Sequence, residues 1–358
     1  VKWSESNRCT GCILPKNFPG ITFNEAGLCS YCENGIGIPT KRNGLSPKIK
    51  NADRIVVALS GGRDSCFGLD YLSKNTSAEL IAFTYDWPLV NSRARRNASR
   101  MVQALGVEHV LRVPDSFKQM KYIRRIILAI SKRPDANVIP LLLAPDKFFF
   151  LEAAKVAKRY NAQAIVFCAG SDLEFTSFKS GIAGAVSKKP NEMLELSKIQ
   201  SIKLLCKIGI SYLKNPRLSL AGVRLPFSAF VQTYFTRPEI EYLFQYIDWN
   251  EAEIESTLKK YNWEGPQENL MTNRWRSGDG TADFYNYLYF ELLGFDERTA
   301  NLSNRVRSSL MSREEALRID SENKNPNIKG LQEYSALVGF QLDAFLREFN
   351  KNLRRNQL

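Results

Sequence analysis

The chain of 358 residues holds a single histidine, His109. A metal centre built on several imidazoles is therefore excluded, and a Ser-His-Asp triad is disfavoured. Long apolar runs are also missing. The longest candidates, 126–130 and 138–144, fall far short of the roughly 18–20 residues that span a bilayer. The N-terminal stretch is polar and shows no signal-peptide core, so a cytoplasmic setting is expected. Neither G-x-x-x-x-G-K-S/T nor G-x-G-x-x-G occurs, so this is not a P-loop or a dinucleotide fingerprint. No repeat at a solenoid period is present.

Acidic residues are outnumbered. Lys and Arg total 50 against 37 Asp and Glu, a net charge of +13. This favours anionic partners such as nucleotides, phosphorylated sugars, nucleic acid or an acidic protein, and selects none of them. No RNA-reading aromatic motif accompanies the charge, which disfavours nucleic acid. The basic run Arg93, Arg95, Arg96, Arg100 lies on a predicted helix and reads as a solvated or partner-binding face. With 44% apolar and 24% charged residues, the composition is that of a globular protein large enough to bury a core.

The chain divides into three parts. Residues 1–45 are rich in Cys, Gly, Pro and Asn, with little periodicity; such a segment needs a staple. Residues 46–235 alternate β-branched runs with amphipathic stretches. RIVVAL (54–59), ELIAFTYD (79–86), VEHVLRV (107–113) and AQAIVFC (162–168) read as buried parallel strands, and 64–74, 92–105 and 147–160 as helices between them. That alternation defines an α/β domain with a parallel sheet covered on both faces. Residues 236–358 read as helical, in EIEYLFQYI, EAEIESTLKKY, ADFYNYLYFELLGF, SREEALRI and GLQEYSALVGF.

Seven cysteines make an odd number, and four fall in two pairs, Cys9/Cys12 and Cys29/Cys32. Their spacing, C-x2-C-x16-C-x2-C, is that of a zinc ribbon: each pair sets two thiolates on one knuckle, and two knuckles give tetrahedral S4 coordination. Gly11 and Gly27 ease the turns. Four thiolates leave no open position, so the metal, Zn2+, is structural. The competing reading is two surface disulfides, which a reducing compartment disfavours. Cys206, in IKLLCKIGI, reads as core. Cys66 and Cys168 are either core thiols or, because they sit beside the loops below, ligands of a cluster or carriers of a persulfide.

The sharpest signal is Ser60-Gly61-Gly62-Arg63-Asp64-Ser65, between the strand RIVVAL and a helix. A strand–loop–helix junction of this kind is an anion site, where N–H groups and the helix dipole attract negative charge and Gly permits close approach. Further candidates are Asp172 and Glu174, which follow Gly170 beyond a strand end, and Lys179. Lys147 is also a candidate, because a Lys is unusual at a helix start unless an anion sits nearby. Arg276, in TNRWRSGD, is a candidate phosphate or carboxylate fork, against a structural salt bridge. His109 reads as structural at a strand start.

SGGRDS resembles the PP-loop of ATP pyrophosphatases, enzymes that cleave ATP between its α and β phosphates. The resemblance implies that the loop from Ser60 to Ser65 binds ATP. Ser60, Gly61, Gly62 and Ser65 would cradle the phosphates, Arg63 lies within the same loop, and Asp64 would orient it or help hold Mg2+. Thr84, Tyr85 and Asp86 at the next strand end, together with Gly170, would meet the adenosine side. RCTGCILPKNFPGITFNEAGLCSYC is similar to the N-terminal signature of the N-acetyl sugar amidotransferases, the WbpG-type enzymes of surface-polysaccharide biosynthesis. Supporting matches run in order to about residue 318, through LGVEH (105–109), the segment 173–181 and WRS (275–277). The departure is Gly-Ser-Asp-Leu-Glu where many relatives carry Gly-x-x-x-Asp-Asp. This family resemblance implies ATP-dependent adenylation of an acetamido oxygen and displacement of AMP by ammonia. It also implies a glutaminase partner of the histidine-biosynthesis type, with a cyclase-like subunit as a further partner. Asp64, Lys147, Glu174, Lys179 and Arg276 are the expected catalytic set. The alternative is a PP-loop sulfur transferase acting on tRNA or a small molecule.

Overall fold

The computed structural model describes residues 7–38, 42–170, 181, 196–265, 280–322 and 326–357. Two short helices, α1 (Ser30–Glu33) and α2 (Pro47–Lys50), precede the sheet. The sheet then builds as β1 (Arg54–Ala58), α3 (Arg63–Asn75), β2 (Glu79–Tyr85), α4 (Ser92–Leu105) and β3 (Glu108–Arg112). Helix α5 (Ser116–Lys132) and a 3-10 segment, Ala136–Leu143, leave the sheet, and α6 (Phe149–Arg159) returns to β4 (Ala164–Phe167). With a fifth strand, β5 (Glu241–Tyr242), all pairings are parallel, and the order is β3-β2-β1-β4-β5.

β1 is central, with β2 on one side and β4 on the other. Its alternate residues face opposite layers, as a period of two demands. Ile55 and Val57 pack with Phe67, Leu69 and Leu72 of α3, while Val56 packs with Ala153 and Val156 of α6. The strand runs are therefore apolar throughout, and the expected parallel sheet with helices on both faces is present.

Two expectations are corrected. VEHVLRV does not form a buried strand: β3 is an edge strand, and Leu111 and Val113 are exposed. EIEYLFQYI is not a helix. It supplies the fifth strand, β5 (Glu241–Tyr242), and a 3-10 turn, Leu243–Gln245. Glu241 is buried because Ser46 and Tyr246 hydroxyls donate to its carboxylate at 2.9 and 2.7 Å. The apolar spacing of EIEYLFQYI suits either structure, and pairing with β4 decides it.

Beyond β4 come α7 (Lys198–Lys214), α8 (Arg217–Ala221) and α9 (Arg224–Tyr234); after β5 comes α10 (Glu251–Lys259). α7 opens on a capping box between Ser197 and Gln200. The C-terminal helices are α11 (Ala282–Leu293), α12 (Glu297–Arg307), α13 (Arg313–Glu322), α14 (Ile328–Val338) and α15 (Leu342–Gln357). A second core joins Ile123, Ile126 and Ile130 of α5 to Phe284, Tyr334 and Phe345 of these helices. The Phe284 and Tyr334 rings stack at 4.5 Å. Cys9, Cys12, Phe18, Cys29 and Tyr31 of the N-terminal segment belong to this same core.

Gly68 of α3 packs closely against the residues that follow β4 and β5. A Cβ there would stand 2.2 Å from Cys168 Sγ and 2.9 Å from Leu243 Cδ2. Gly68→Ala should therefore destabilise the protein by about 1–3 kcal/mol through overpacking. Urea unfolding measures this, and an unchanged midpoint would show that the β4 end yields.

Candidate functional site

The anion-binding geometry follows from where the chain turns. Ser60-Gly61-Gly62 leaves the carboxyl end of the central strand, and α3 starts at Arg63 with Gly62 as N-cap. Gly62 offers no side chain to the first-turn N–H groups. Those groups have no carbonyl within the helix, so they remain for an external anion. β1 is also where the strand order reverses, the position at which parallel sheets leave a crevice for ligands.

The loop is held from inside. Ser60 and Ser65 hydroxyls lie 3.0 Å apart, Ser60 N–H donates to Ser65 Oγ at 3.2 Å, and Ser65 Oγ donates to the Gly62 carbonyl at 3.0 Å. Gly61 has φ +75°, and a Cβ on it would stand 1.9 Å from the Ala94 carbonyl oxygen of α4. No other residue fits that contact.

Residues far along the chain hold the loop from outside. Trp263 Nε1 and Asn97 Nδ2 donate to the Gly61 carbonyl at 3.2 and 3.3 Å. Asn97 also bonds Glu264 N–H at 2.9 Å and the Glu264 carbonyl at 3.0 Å. The arginine run on α4 has its role here. Arg96 and Arg100 pair with the Glu264 carboxylate at 2.5 and 2.7 Å, and Arg93 reaches the Gly265 carbonyl at 2.5 Å. These guanidiniums hold the 262–265 segment against the loop; the face is solvated as expected, with the Arg96 and Arg100 side chains 51% and 40% exposed, and it also serves as a clamp. Arg96 above all, with Arg100, holds the Glu264 carboxyl down at about 2 against the smaller opposing effect of burial.

Arg63 is buried and salt-bridged rather than extended. It pairs with Glu251 of α10 at 2.7 Å and with Asp64 at 3.3 Å, and its guanidinium sits 4.9 Å over the Trp249 ring. Glu251 in turn pairs with Arg305 at 2.8 Å. Burial raises the Glu251 carboxyl, but Arg305 and Arg63 outweigh it and hold it below the usual range. Asp64 accepts from Trp249 Nε1 at 3.2 Å. Burial pushes its carboxyl up, opposed by Arg63 and Trp249. Asp64 thus sits on the first turn of α3 in a surround that orients it, and it is the acidic group nearest the loop for a cation.

At the second strand end, Thr84 is already occupied. Its hydroxyl donates to the Leu59 carbonyl at 2.6 Å, which leaves its oxygen to accept from His109 Nε2 at 2.8 Å. Burial lowers the His109 pKa and keeps the ring neutral, as a structural role requires. Tyr85 is fixed through its hydroxyl to the Pro145 carbonyl and Gln119. Asp86 pairs with Arg95 at 2.7 Å. Gly170 has φ +88° beyond β4, and a Cβ there would stand 3.0 Å from Gln245 Cγ. Lys147 lies in the 3-10 turn Asp146–Phe148 that precedes α6, 5.4 Å over the Phe149 ring. Asp172, Glu174, Lys179 and Arg276 lie outside the described residues.

The remaining cysteines separate. Cys66 is fully buried, and burial pushes its thiol well up. Burial does the same to Cys168, with the Asp64 and Cys66 charges adding to it. Neither is poised as a thiolate. Cys206 is exposed, against the expectation that it is core: the apolar run IKLLCKIGI is apolar on more than one helix face.

The four N-terminal cysteines converge. Their sulfurs all lie within 4.8 Å of one another, with Cys9–Cys32 at 3.7 Å and Cys12–Cys29 at 3.8 Å. Thiolates about 2.3 Å from one tetrahedral ion stand about 3.8 Å apart, so the set fits an S4 metal. Cys12 and Cys29 N–H groups donate to Cys9 Sγ at 3.4 and 3.2 Å. Gly27 takes φ +74°, and a Cβ on Gly11 would meet Leu28 at 2.8 Å and Cys32 Sγ at 3.2 Å. The C-terminal helices grip this knuckle. Arg307 donates to Cys12 Sγ at 3.3 Å, Arg313 to the Cys9 and Cys12 carbonyls, and Arg8 pairs with Asp320 at 2.6 Å.

Fold and site define the class: an α/β protein with a PP-loop-like junction at the centre of a parallel sheet, a four-cysteine metal cradle and a helical C-terminal region. No protein-family model matches the chain. No curated protein matches it either. Among solved structures it is similar to the U34-tRNA thiolase NcsA from Methanococcus maripaludis with its 4Fe–4S cluster, at 11% identity over 88% of each chain and a TM-score of 0.34. It is also similar to NMN synthetase from Francisella tularensis, at 13% identity over 59% of this chain and 84% of that one, TM-score 0.26. NAD+ synthetase from Burkholderia pseudomallei follows at 14% identity over 58% and 79%, TM-score 0.24. Superpositions this loose carry no argument about activity or cofactor.

Gly61→Ala should lower the melting temperature, because the added methyl displaces α4 from the loop; an unchanged melting curve would refute the packing constraint. The Glu264 clamp should be pH-dependent. Its folded pKa of about 2 lies below the ordinary 4.5, so its contribution is complete above about pH 4.5 and lost as pH falls through about 2. The melting difference between wild type and Glu264→Gln should accordingly be constant above pH 5 and shrink steadily below it.

Proposed function

We propose that the protein is an ATP pyrophosphatase that aminates an amide. It adenylates the amide oxygen of an acetamido sugar carried on a nucleotide, then substitutes ammonia to give an acetamidino sugar, with release of pyrophosphate and AMP. One observation carries the reading: the SGGRDS loop, with α3 uncapped behind it, occupies the switch point of the sheet. The cysteine signature on the same chain narrows the class to the N-acetyl sugar amidotransferases.

The chemistry suits the site. An amide oxygen is a poor leaving group, and activation by ATP makes it a good one. The difficult charge develops on departing pyrophosphate. The uncapped N–H groups of the first turn of α3 face that demand without reorganisation, because Ser60, Ser65, Asn97 and Trp263 hold the loop rigid. Mg2+ would supply charge neutralisation on the phosphates, and Asp64 would orient it. Arg63, locked to Glu251, acts as a brace of the loop and not as a mobile phosphate ligand. Lys147, Glu174, Lys179 and Arg276 remain the proposed sugar- and phosphate-contacting groups.

The four thiolates would hold Zn2+ in a closed, structural site, since Arg307 and Arg313 bury the knuckle against α12 and α13. Ammonia would come from a glutaminase partner, with a cyclase-like subunit as the conduit. The sulfur-transfer reading gains nothing from the fully buried Cys66 and the half-buried Cys168, whose thiols are both pushed up by desolvation.

Incubation with ATP, Mg2+, ammonium and a panel of acetamido-sugar nucleotides should give AMP and a sugar in which O is replaced by NH, by mass spectrometry. Formation of a thioamide with a sulfide donor, and no reaction with ammonium, would overturn the proposal. Purified protein should carry one zinc per chain by elemental analysis. Cys29→Ser should lose it and lower the melting temperature, because the knuckle is part of the second core.

A further inference from the structure

We propose that helices α7, α8 and α9 form a docking face for the surface of an anionic phospholipid bilayer. The inference is independent of the amination reading. It starts from composition: between residues 196 and 238 there are seven Lys or Arg and no Asp or Glu, in a chain that otherwise mixes both signs. No carboxylate of the described residues pairs with Lys198, Lys203, Lys214, Arg217 or Arg224, and all five are exposed.

The apolar side chains of α7 are misplaced for a monomer in water. Ile199, Ile202, Cys206, Ile210 and Leu213 follow at spacings of three, four, four and three. At 100° per residue they fall within an arc of about 80°. That arc points outward: Ile199, Ile202, Ile210 and Leu213 are 68%, 51%, 49% and 83% exposed, and Cys206 is exposed with them. The opposite face, with Leu204, Ile208 and Tyr212, packs inward. Lys203, Lys207 and Lys214 line one flank of the outward stripe and Lys198 the other. Leu220, Val223 and Phe227 extend the exposed apolar surface onto α8 and α9. A groove of about 430 Å³ lined by Leu205, Leu213, Val223 and Phe227 opens beside it.

An apolar stripe flanked by lysines is what an interfacial helix presents: aliphatic side chains enter the acyl boundary and the lysines reach the headgroups. The charge selects an anionic surface. Nucleic acid would demand stacking aromatics, and the stripe is aliphatic. A second copy of the chain would bring the same seven cations against themselves. No helix among the described residues is long and apolar enough to cross a membrane, so the face lies on the bilayer.

Cys206 provides the probe, since it is the exposed cysteine at the centre of the stripe. The protein labelled there with a solvatochromic maleimide, with Cys206→Ser as the labelling control, is titrated with vesicles. Mixed phosphatidylglycerol–phosphatidylcholine vesicles should shift the emission to the blue and sediment the protein. Pure phosphatidylcholine should do neither, and raised salt should reverse the binding. Lys203→Glu with Lys214→Glu should weaken binding about tenfold or more. Leu213→Glu should weaken it too, with an unchanged melting curve because Leu213 is exposed. An equal response to both vesicle types, none to either, or a shift caused by an RNA oligonucleotide or by raised protein concentration in place of vesicles overturns the proposal.

Discussion

The contact between Gly61 and the Ala94 carbonyl sets the geometry of everything around the loop. An α-helix, α4, passes so close to the end of β1 that the turn leaving the strand has no room for a side chain. Once that approach is made, the Gly61 carbonyl is fixed and becomes the acceptor for both Asn97 and Trp263. The donors of the first turn of α3 are then left uncapped. The anion site is a consequence of close packing on one side of a backbone turn, with positive charge entering through the helix terminus.

Charge does a different task in this region. Arg96 and Arg100 of α4 pair with Glu264 and Arg63 pairs with Glu251, and these pairs tie distant segments to the loop region, while Arg95 pairs locally with Asp86. Residues 249–265 thereby become the wall of a site whose floor is built from residues 58–65. The metal cradle is built by the same logic. Its sulfurs are brought together by two short knuckles, but Arg307, Arg313 and the pair Arg8–Asp320 decide where the cradle sits, against helices nearly three hundred residues later.

Much of this was legible in order along the chain. The strands β1, β2 and β4 announce themselves as β-branched runs because both sheet faces are covered. α4 follows its predicted limits because Asn91 caps it and Gly106, at φ +64°, ends it. β5 was not legible: a two-residue strand carries no periodicity, and only pairing with β4 creates it. Trp249, Asn97, Glu251 and Trp263 gave no signal as site residues, because they contact the loop across 36–202 positions of sequence and belong to no local motif. Arg63 was legible as a loop residue, while its partner was not.

The sequence alone determined the chemistry available: four thiolates at knuckle spacing, a glycine turn between an apolar strand and a helix, and a surplus of positive charge. These are local properties, set by spacing and backbone conformation over a few residues. Tertiary structure decided which charges are spent. It turned Arg63 inward onto Glu251, paired Arg95, Arg96 and Arg100 of α4 with carboxylates at the surface, left the lysines of α7 outward beside an apolar stripe, and put Cys206 on the surface while burying Cys66. Those outcomes depend on which faces of helices meet, and helices that are apolar on several faces do not reveal that choice one residue at a time.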